Sequence, residues 1–298
     1  MTQDALAGWV DETAEAVERA RAACAELRWH EAYRRRWREV RAEAGLRAAH
    51  ASAALEGARL PLELVRAVAT GGTDLADGYG GGSDERADAG AGAGAGAEGV
   101  LVGAVRGASL VEALVPDLGA QRAAALPPLP QLLARAHTLV GAGWLPVTSL
   151  GRLRSDEPAA DQRGLGTAPT GREVAARVDL LARTVASTRA PALVVAALVH
   201  AEVLAVRPFV AGNGLVARVV ARVLATSAGL DPTGSVLPEV AWAAAPQQYV
   251  AAVAGYATGE PERVAAWFGA YADAVVAGAG HAREVADAVL AGRLGETR

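Results

Sequence analysis

Residues 207–218 combine residue types and spacing that suit the binding of an anion. They read Arg-Pro-Phe-Val-Ala-Gly-Asn-Gly-Leu-Val-Ala-Arg. The glycines at 212 and 214 permit backbone angles that let successive amide N–H groups converge on one point. A helix that begins at about Gly214 would add the unpaired N–H groups of its first turn, and Arg218 follows about one turn later. The spacing therefore predicts a phosphate site built mostly from backbone.

Such a turn needs a helix on each side to hold it in place. The apolar run Leu193–Val206 precedes the turn, and Pro208 is expected to end that helix. This run is shorter than the ~20 residues that a membrane-spanning helix needs, and it includes His200 and Glu202. We predict helices at about 191–205 and 214–228, with the turn between them.

The same segment resembles the signature of the Fic (Fido-domain) proteins, His-Pro-Phe-x-Asp/Glu-Gly-Asn-Gly-Arg-x-x-Arg. The resemblance includes residues 197–202 upstream. Fic proteins transfer AMP or related phosphate-containing groups to hydroxyl groups of target proteins. The resemblance implies a mostly α Fido fold with a small β-hairpin flap, with ATP or another nucleotide as ligand and a protein as target. The phosphate- and nucleotide-binding positions that it implies are Arg207, Phe209, Gly212, Asn213, Gly214 and Arg218.

The sequence departs from the family pattern at three positions that carry its chemistry. Arg207 stands where the histidine base would be, and a guanidinium has no lone pair to accept a proton. Ala211 replaces the acid that would bind Mg²⁺, and a methyl group offers no oxygen ligand. Leu215 replaces the first arginine, whereas Arg218 keeps the second. We therefore expect no catalytic residue of the family's kind, no metal site, and impaired AMP transfer.

Three functions remain open from these residues. The first is a degenerate Fic protein that binds a nucleotide or another phosphate compound, with Arg207 either holding the phosphate or forming an ion pair at the helix end. The second is an active transferase with altered chemistry, and the third is a non-catalytic interaction or regulatory module. His200 is interpreted as a structural residue, and it is also the histidine near enough in sequence to serve as an alternative base.

A second resemblance lies nearer the amino terminus, at Ser52-Ala53-Ala54-Leu55-Glu56-Gly57. It is similar to the Ser/Thr-x-x-x-Glu-Gly/Asn inhibitory motif of Fic proteins that carry an inhibitory helix ahead of the core. Ser52 and Glu56 would share one helix face, and the resemblance implies that Glu56 contacts Arg218 in competition with a phosphate. By itself, the hexapeptide would favour the simpler interpretation of a serine and a glutamate on a solvated helix.

Composition divides the chain into three regions. Residues 1–69 show a helical repeat and are predicted to form an amino-terminal module of three helices. Residues 70–99 are rich in glycine, alanine and acid and are predicted to be a flexible linker or loop. Residues 100–298 are predicted to form the core, with helices that include 129–141, 172–188, 245–257, 261–278 and 280–293, and with Gly151–Arg154 as the strand candidate.

Charge and composition limit the kinds of partner. The net charge is −4, so we expect neither nucleic acid nor a membrane surface as a general partner. The arginines of the segment Arg34–Arg41 are interleaved with Glu31, Glu39 and Glu43, as is typical of a solvated helix. The chain has one cysteine and five histidines without metal-ligand spacing. We expect a cytoplasmic protein, and no feature of the sequence indicates its oligomeric state or its target.

Overall fold

The computed structural model describes residues 8–9, 12–71, 91–120, 125–160 and 164–294. Twelve α-helices of four residues or more lie in these ranges. They are α1 (Ala14–Leu27), α2 (Ala32–Arg35), α3 (Trp37–Leu55), α4 (Leu62–Ala69), α5 (Ala91–Leu114), α6 (Leu129–Gly141), α7 (Arg172–Ser187), α8 (Ala192–Val206), α9 (Asn213–Ser227), α10 (Pro238–Ala244), α11 (Pro246–Ala257) and α12 (Pro261–Leu290). The prediction of a mostly α protein is confirmed.

Helix α8 lies at the centre of the fold because nearly its whole circumference is apolar. Twelve of its residues are buried. A helix that is apolar all round must be covered on every side, and α8 contacts α1, α7, α9, α11 and α12. Helix α9 runs back against α8, and it is also packed by α3, α5 and α6. The turn between α8 and α9 is therefore held inside the helical array.

The amino-terminal helices pack directly on the rest of the chain. Helix α1 lies along α12, while α3 contacts α5, α9, α10 and α12. The helices predicted at 31–43 and 46–56 are one short helix, α2, followed by the longer helix α3, which runs through Gly45. Likewise, the two helices predicted at 261–278 and 280–293 form the single helix α12. In both cases burial against neighbours outweighs the local preference of glycine for a break.

Helices α5 and α6 approach each other closely through glycines. A Cβ atom at Gly103 would lie 2.1 Å from the carbonyl oxygen of Val140, and one at Gly99 would lie 2.4 Å from Cβ of Trp144. Only residues without a side chain fit at such distances. Residues 91–99, predicted as part of the linker, form the first turns of α5, which makes its close approach at Gly99 and Gly103. The rest of that prediction, residues 72–90, lies outside the described residues.

The predicted β-hairpin flap is not seen. No strand occurs in the part of the chain that the structure describes, and Gly151–Arg154 has no regular secondary structure. The segment instead forms isolated backbone bonds with the turn after α8, from Arg154 N–H to the carbonyl of Pro208 at 2.9 Å and from Ala160 N–H to that of Val210 at 2.7 Å. Pro158 lies between the two bonded residues and has no N–H to donate, which opposes a continuous ladder.

Candidate functional site

The turn between α8 and α9, residues 207–212, is called the motif loop below. Helix α8 ends at Val206, and Arg207 takes the left-handed conformation with φ of 47°. It is the one non-glycine residue with positive φ among the described residues. Gly212 is also left-handed, with φ of 78°, and α9 begins at Asn213. The first-turn N–H groups of α9 therefore have no carbonyl partner within their own helix.

Asn213 closes the motif loop with its side chain. Its Oδ1 accepts a hydrogen bond from the backbone N–H of Phe209 at 2.9 Å, and its Nδ2 donates to the carbonyl of Phe209 at 2.9 Å. Asn213 is fully buried, as is Phe209. Of the predicted binding residues, Asn213 therefore holds the loop in shape through its side chain, and Phe209 through its backbone.

Arg207 is buried as well, and its guanidinium donates to a backbone carbonyl. Its Nη2 donates to the carbonyl of Gly166 at 2.8 Å, and its own carbonyl accepts from Nε of Arg154 at 2.6 Å. Arg154 also donates to the carbonyls of Val206, Glu157 and Pro169. A guanidinium satisfies several carbonyls at once because its five N–H groups point in fixed directions. Arg154 thus joins Glu157 and Pro169 to the end of α8, a role that the sequence analysis did not predict.

Arg218 lies in α9 and forms an ion pair with Glu56, which ends α3. The distance from Nη2 of Arg218 to Oε1 of Glu56 is 2.6 Å, and the two side chains are 1% and 8% exposed. Nε of Arg218 donates to Oγ of Ser52 at 3.0 Å, and Nη2 donates to the carbonyl of Ser52 at 3.1 Å. Burial is the largest single influence on the pKa of Arg218 and would lower it, but the Glu56 carboxylate and the Tyr249 hydroxyl together outweigh burial, so the pKa is raised.

Gly57 explains how Glu56 reaches this position. Its φ is 94°, and it follows the last turn of α3. The N–H of Gly57 bonds to the carbonyl of Ala54 at 3.0 Å, and that of Ala58 bonds to the carbonyl of Ala53 at 2.9 Å. This pair of bonds is the Schellman arrangement, which favours glycine. The predicted regulatory residues Ser52, Glu56 and Gly57 are therefore brought together with Arg218.

Behind the ion pair lies an aromatic cluster around His200. Nη1 of Arg218 is 3.5 Å from the hydroxyl of Tyr249, and that hydroxyl is 2.7 Å from Nε2 of His200. An arginine only donates, so the Tyr249 hydroxyl accepts from Arg218, while the direction of its bond to His200 depends on the tautomer of the imidazole. Burial, and then the charge of Arg218, lowers the pKa of His200 well below its ordinary value. Because the imidazole is fully buried and a weak base, the histidine is unsuited to the role of alternative base.

His137 and Trp144, which the sequence analysis did not single out, pack on the motif loop. His137 stacks on Phe209 at 3.9 Å, and its Nε2 is 3.1 Å from the carbonyl of Ala211. Its Nδ1 accepts from the N–H of Gly151 at 2.9 Å, so Nε2 carries the proton. Burial lowers the pKa of His137 to about 4. A Cβ at Gly212 would lie 3.4 Å from Cζ2 of Trp144, so the indole covers that glycine.

Besides Arg207, the sequence departs from the family pattern at Leu215 and Ala211. Leu215 is buried, in keeping with its apolar side chain. Ala211 presents its carbonyl to His137. Within the described part of the chain, no group of three His, Cys, Asp or Glu residues could hold a metal ion. The residues present do not fit the Mg²⁺ site that the family pattern would supply.

Comparison with known proteins identifies the fold first. The structure is similar to that of a Fic family protein from Desulfovibrio desulfuricans G20, with a TM-score of 0.61 and 21% identity over 92% of this chain and 74% of that one. It is also similar to Fic-1 of C. elegans, with a TM-score of 0.57 and 18% identity over 91% of this chain and 70% of that one. At these identities the likeness establishes a Fic fold.

A family model matches part of the sequence. Residues 129–225, from α6 to α9, match the model of the Fic/DOC family. No curated protein matches the chain in sequence. Among the described residues, no helix has both the length and the apolar character required to cross a membrane.

Proposed function

We propose that this protein is a degenerate Fic-type protein that binds the phosphate groups of ATP or another nucleotide at the motif loop, in competition with Glu56. The observation that carries the proposal is the buried pair of Glu56 and Arg218, 2.6 Å apart, with Ser52 on the same guanidinium. A carboxylate held at that position occupies the place that an anionic ligand would take on the remaining arginine of the motif.

Regulation of this site would depend on replacing one anion on Arg218, the Glu56 carboxylate, with another, a phosphate of the nucleotide. Leaving a buried guanidinium without a partner costs about 3–5 kcal/mol. A phosphate that replaces the Glu56 carboxylate keeps Arg218 compensated, and it adds the N–H groups at the start of α9 and their partial positive charge. The indole of Trp144 covers Gly212, so we expect that ring to move when a phosphate enters.

Protein AMP transfer, the activity that the family resemblance implies, is expected to be impaired. Arg207 cannot accept a proton, and general base catalysis contributes about 10²–10⁴-fold in rate. Neither neighbouring histidine replaces it, because Nδ1 of His137 accepts from the N–H of Gly151 and burial makes His200 a weak base with a lowered pKa. With Ala211 in place of the acid, the family's use of Mg²⁺ is also not expected.

A calorimetric titration with ATP tests the proposal. Wild-type protein, Glu56→Gly and Glu56→Gln would be titrated with and without Mg²⁺. The glutamine variant removes the charge but keeps the size of the side chain. Glu284→Gln is the matched control, since the side chain of Glu284 is 77% exposed on α12. We expect both Glu56 variants to bind ATP at least about tenfold more tightly than wild type, with little effect of Mg²⁺, and the control to resemble wild type.

Two results would overturn the proposal. One is the absence of binding heat in all folded variants, which would favour a non-catalytic interaction module. That second candidate function is supported by the packing of His137 and Trp144 on the motif loop. The other is modification of a protein by Glu56→Gly with ATP at rates typical of the family, which would favour an active transferase with altered chemistry.

A further inference from the structure

A cavity of about 270 Å³ lies between α7 and α8, away from the pair of Glu56 and Arg218. It is lined by Arg177, Leu180, Leu181, Thr184, Leu198 and Glu202. The volume is close to the lower end of the roughly 300–1,000 Å³ of small-molecule sites, and apolar walls with a few polar groups are typical of them. The size suits a ligand of about ten heavy atoms.

The polar end of the cavity is an ion pair. Nη2 of Arg177 lies 3.0 and 2.9 Å from Oε1 and Oε2 of Glu202. Tyr256, from α11, donates its hydroxyl to Oε1 of Glu202 at 2.8 Å. This third contact fixes the carboxylate, and burial raises the pKa of Tyr256 well above its usual range, so the hydroxyl remains a donor. The guanidinium of Arg177 and the carboxylate of Glu202 are thus held in a defined geometry at the cavity.

The ion pair retains capacity for further hydrogen bonds. Both bonds of Arg177 are made by Nη2, and its Nε and Nη1 donate to no residue that the structure describes. Arg177 is 33% exposed and Glu202 is 15% exposed, so both can reach a ligand from the cavity. Oε2 of Glu202 accepts from Arg177 alone among the described residues and has a second lone pair.

The other end of the cavity is apolar. Leu181 and Leu198 are buried, whereas Leu180 is 37% exposed at the rim. Leu180, Leu181 and Thr184 follow Arg177 along one face of α7, and Leu198 precedes Glu202 by one turn of α8. The spacing on each helix therefore places a charge at one end of the cavity and an apolar wall at the other.

We propose that this cavity binds a free amino acid with an apolar side chain, whose carboxylate pairs with Arg177 and whose ammonium pairs with Glu202. A ligand with a single charge would leave one member of the ion pair partly unmatched, whereas a zwitterion matches both. The apolar side chain lies along the leucines. This site is separate from the motif loop, so it does not depend on the function proposed above.

Calorimetry with four related probes tests the chemistry on the wild-type protein. The probes are L-leucine, L-leucinamide, which lacks the carboxylate, N-acetyl-L-leucine, which lacks the ammonium, and isoamylamine, which lacks the carboxylate and is smaller. We expect saturable binding of L-leucine. Each charge-assisted hydrogen bond contributes about 1.5–3 kcal/mol, so each derivative should bind about 10- to 100-fold more weakly.

Variants assign the binding to the cavity. Arg177→Gln and Glu202→Gln should each weaken L-leucine binding by at least about tenfold, and Thr184→Leu should block it by filling the apolar end. Arg183→Gln is the matched control, because Arg183 lies on the same helix, does not line the cavity, and pairs with Asp179 on the surface. Circular dichroism and thermal unfolding would verify that each variant is folded.

Three results of these titrations would count against the proposed amino acid site. No saturable heat with L-leucine would overturn the proposal, as would equal binding of L-leucinamide or N-acetyl-L-leucine to the wild type. Binding that persists unchanged in Thr184→Leu would place the ligand elsewhere. ATP binding by the Glu56 variants is expected to be independent of L-leucine, so failure of one proposal leaves the other intact.

Discussion

At the scale of single residues, the site is held together by buried polar groups that form hydrogen bonds and ion pairs with one another. Arg218 is compensated by Glu56 and Ser52, Arg154 by backbone carbonyls, and Asn213 by Phe209. Burial of a charge or a polar group is tolerated only with such partners. The motif loop is therefore rigid through its hydrogen bonds, although the groups that would perform the family's chemistry are replaced.

His137 makes the stability of this loop depend on pH. Burial lowers its pKa from the ordinary 6.5 to about 4, so between these values the folded protein binds fewer protons than the unfolded chain. The free energy of unfolding therefore falls as the pH falls through this window, by about 2–3 kcal/mol from this group, and the stabilisation is fully present above pH 6.5.

The test compares urea unfolding of the wild type and His137→Gln at several pH values between 4 and 7.5. The variant should be less stable at pH 7.5, because it loses the stacking on Phe209, but its stability should fall less toward pH 4. Other titrating groups, including the buried Glu239 whose pKa is raised by burial, contribute to both proteins. If the unfolding free energies of the two proteins changed with pH in parallel, protonation of His137 would not destabilise the folded state, and the prediction would be wrong.

At the scale of helices, alanine and glycine determine how closely the elements approach. Helix α5 contacts α6 over Gly99 and Gly103, and the carbonyl of Val140 takes the space that a side chain at 103 would need. Trp144 lies just beyond α6 and packs on both Gly99 and Gly212. The close contact between the helices therefore also helps to hold the indole of Trp144 over the motif loop.

Substitution of two glycines on α5 should have opposite effects. In Gly103→Ala, the added Cβ would lie 2.1 Å from the carbonyl oxygen of Val140, so the helices must separate, at a cost of about 1–3 kcal/mol. In Gly96→Ala, nothing lies within 4 Å of the added atom, and the gain in helix propensity should stabilise by about 0.5–1 kcal/mol. Chemical denaturation measures both, and equal effects would contradict the close approach.

At the scale of the whole molecule, α12 joins the two ends of the chain. It has 30 residues, and at 1.5 Å per residue it is about 45 Å long. It contacts α1, α2 and α3 from the amino-terminal part and α8, α10 and α11 from the rest. The predicted amino-terminal module, residues 1–69, therefore shares its apolar surfaces with the predicted core.

We expect the two parts to unfold together. Differential scanning calorimetry should give one transition, with a van't Hoff enthalpy equal to the calorimetric enthalpy, as two-state unfolding requires. The apolar core is continuous between residues 1–69 and the rest of the chain, so neither region has a complete core of its own. Two separate transitions, or a van't Hoff enthalpy well below the calorimetric value, would show that residues 1–69 fold as an independent unit.

The sequence by itself determined the mostly α class, the helices on both sides of the motif loop, and the resemblance to Fic proteins. These features are local, because they depend on apolar periodicity, on Pro208, and on glycines at fixed spacing. The same local reasoning predicted a linker that includes residues 91–99, which the structure places in α5, and a flap, of which no strand is seen in the described residues. In both places, contacts with distant residues outweigh local preference.

Tertiary structure alone decided which residues surround the loop. Arg218 lies 162 residues from Glu56 in the chain, and Ala211 lies 74 residues from His137. A family resemblance suggested the first contact, but no local pattern indicates the second, nor the position of Trp144 over Gly212 or of Arg177 beside Glu202. Such contacts arise because helices pack by matching their surfaces, and the sequence of one helix does not specify which side chains of another will face it.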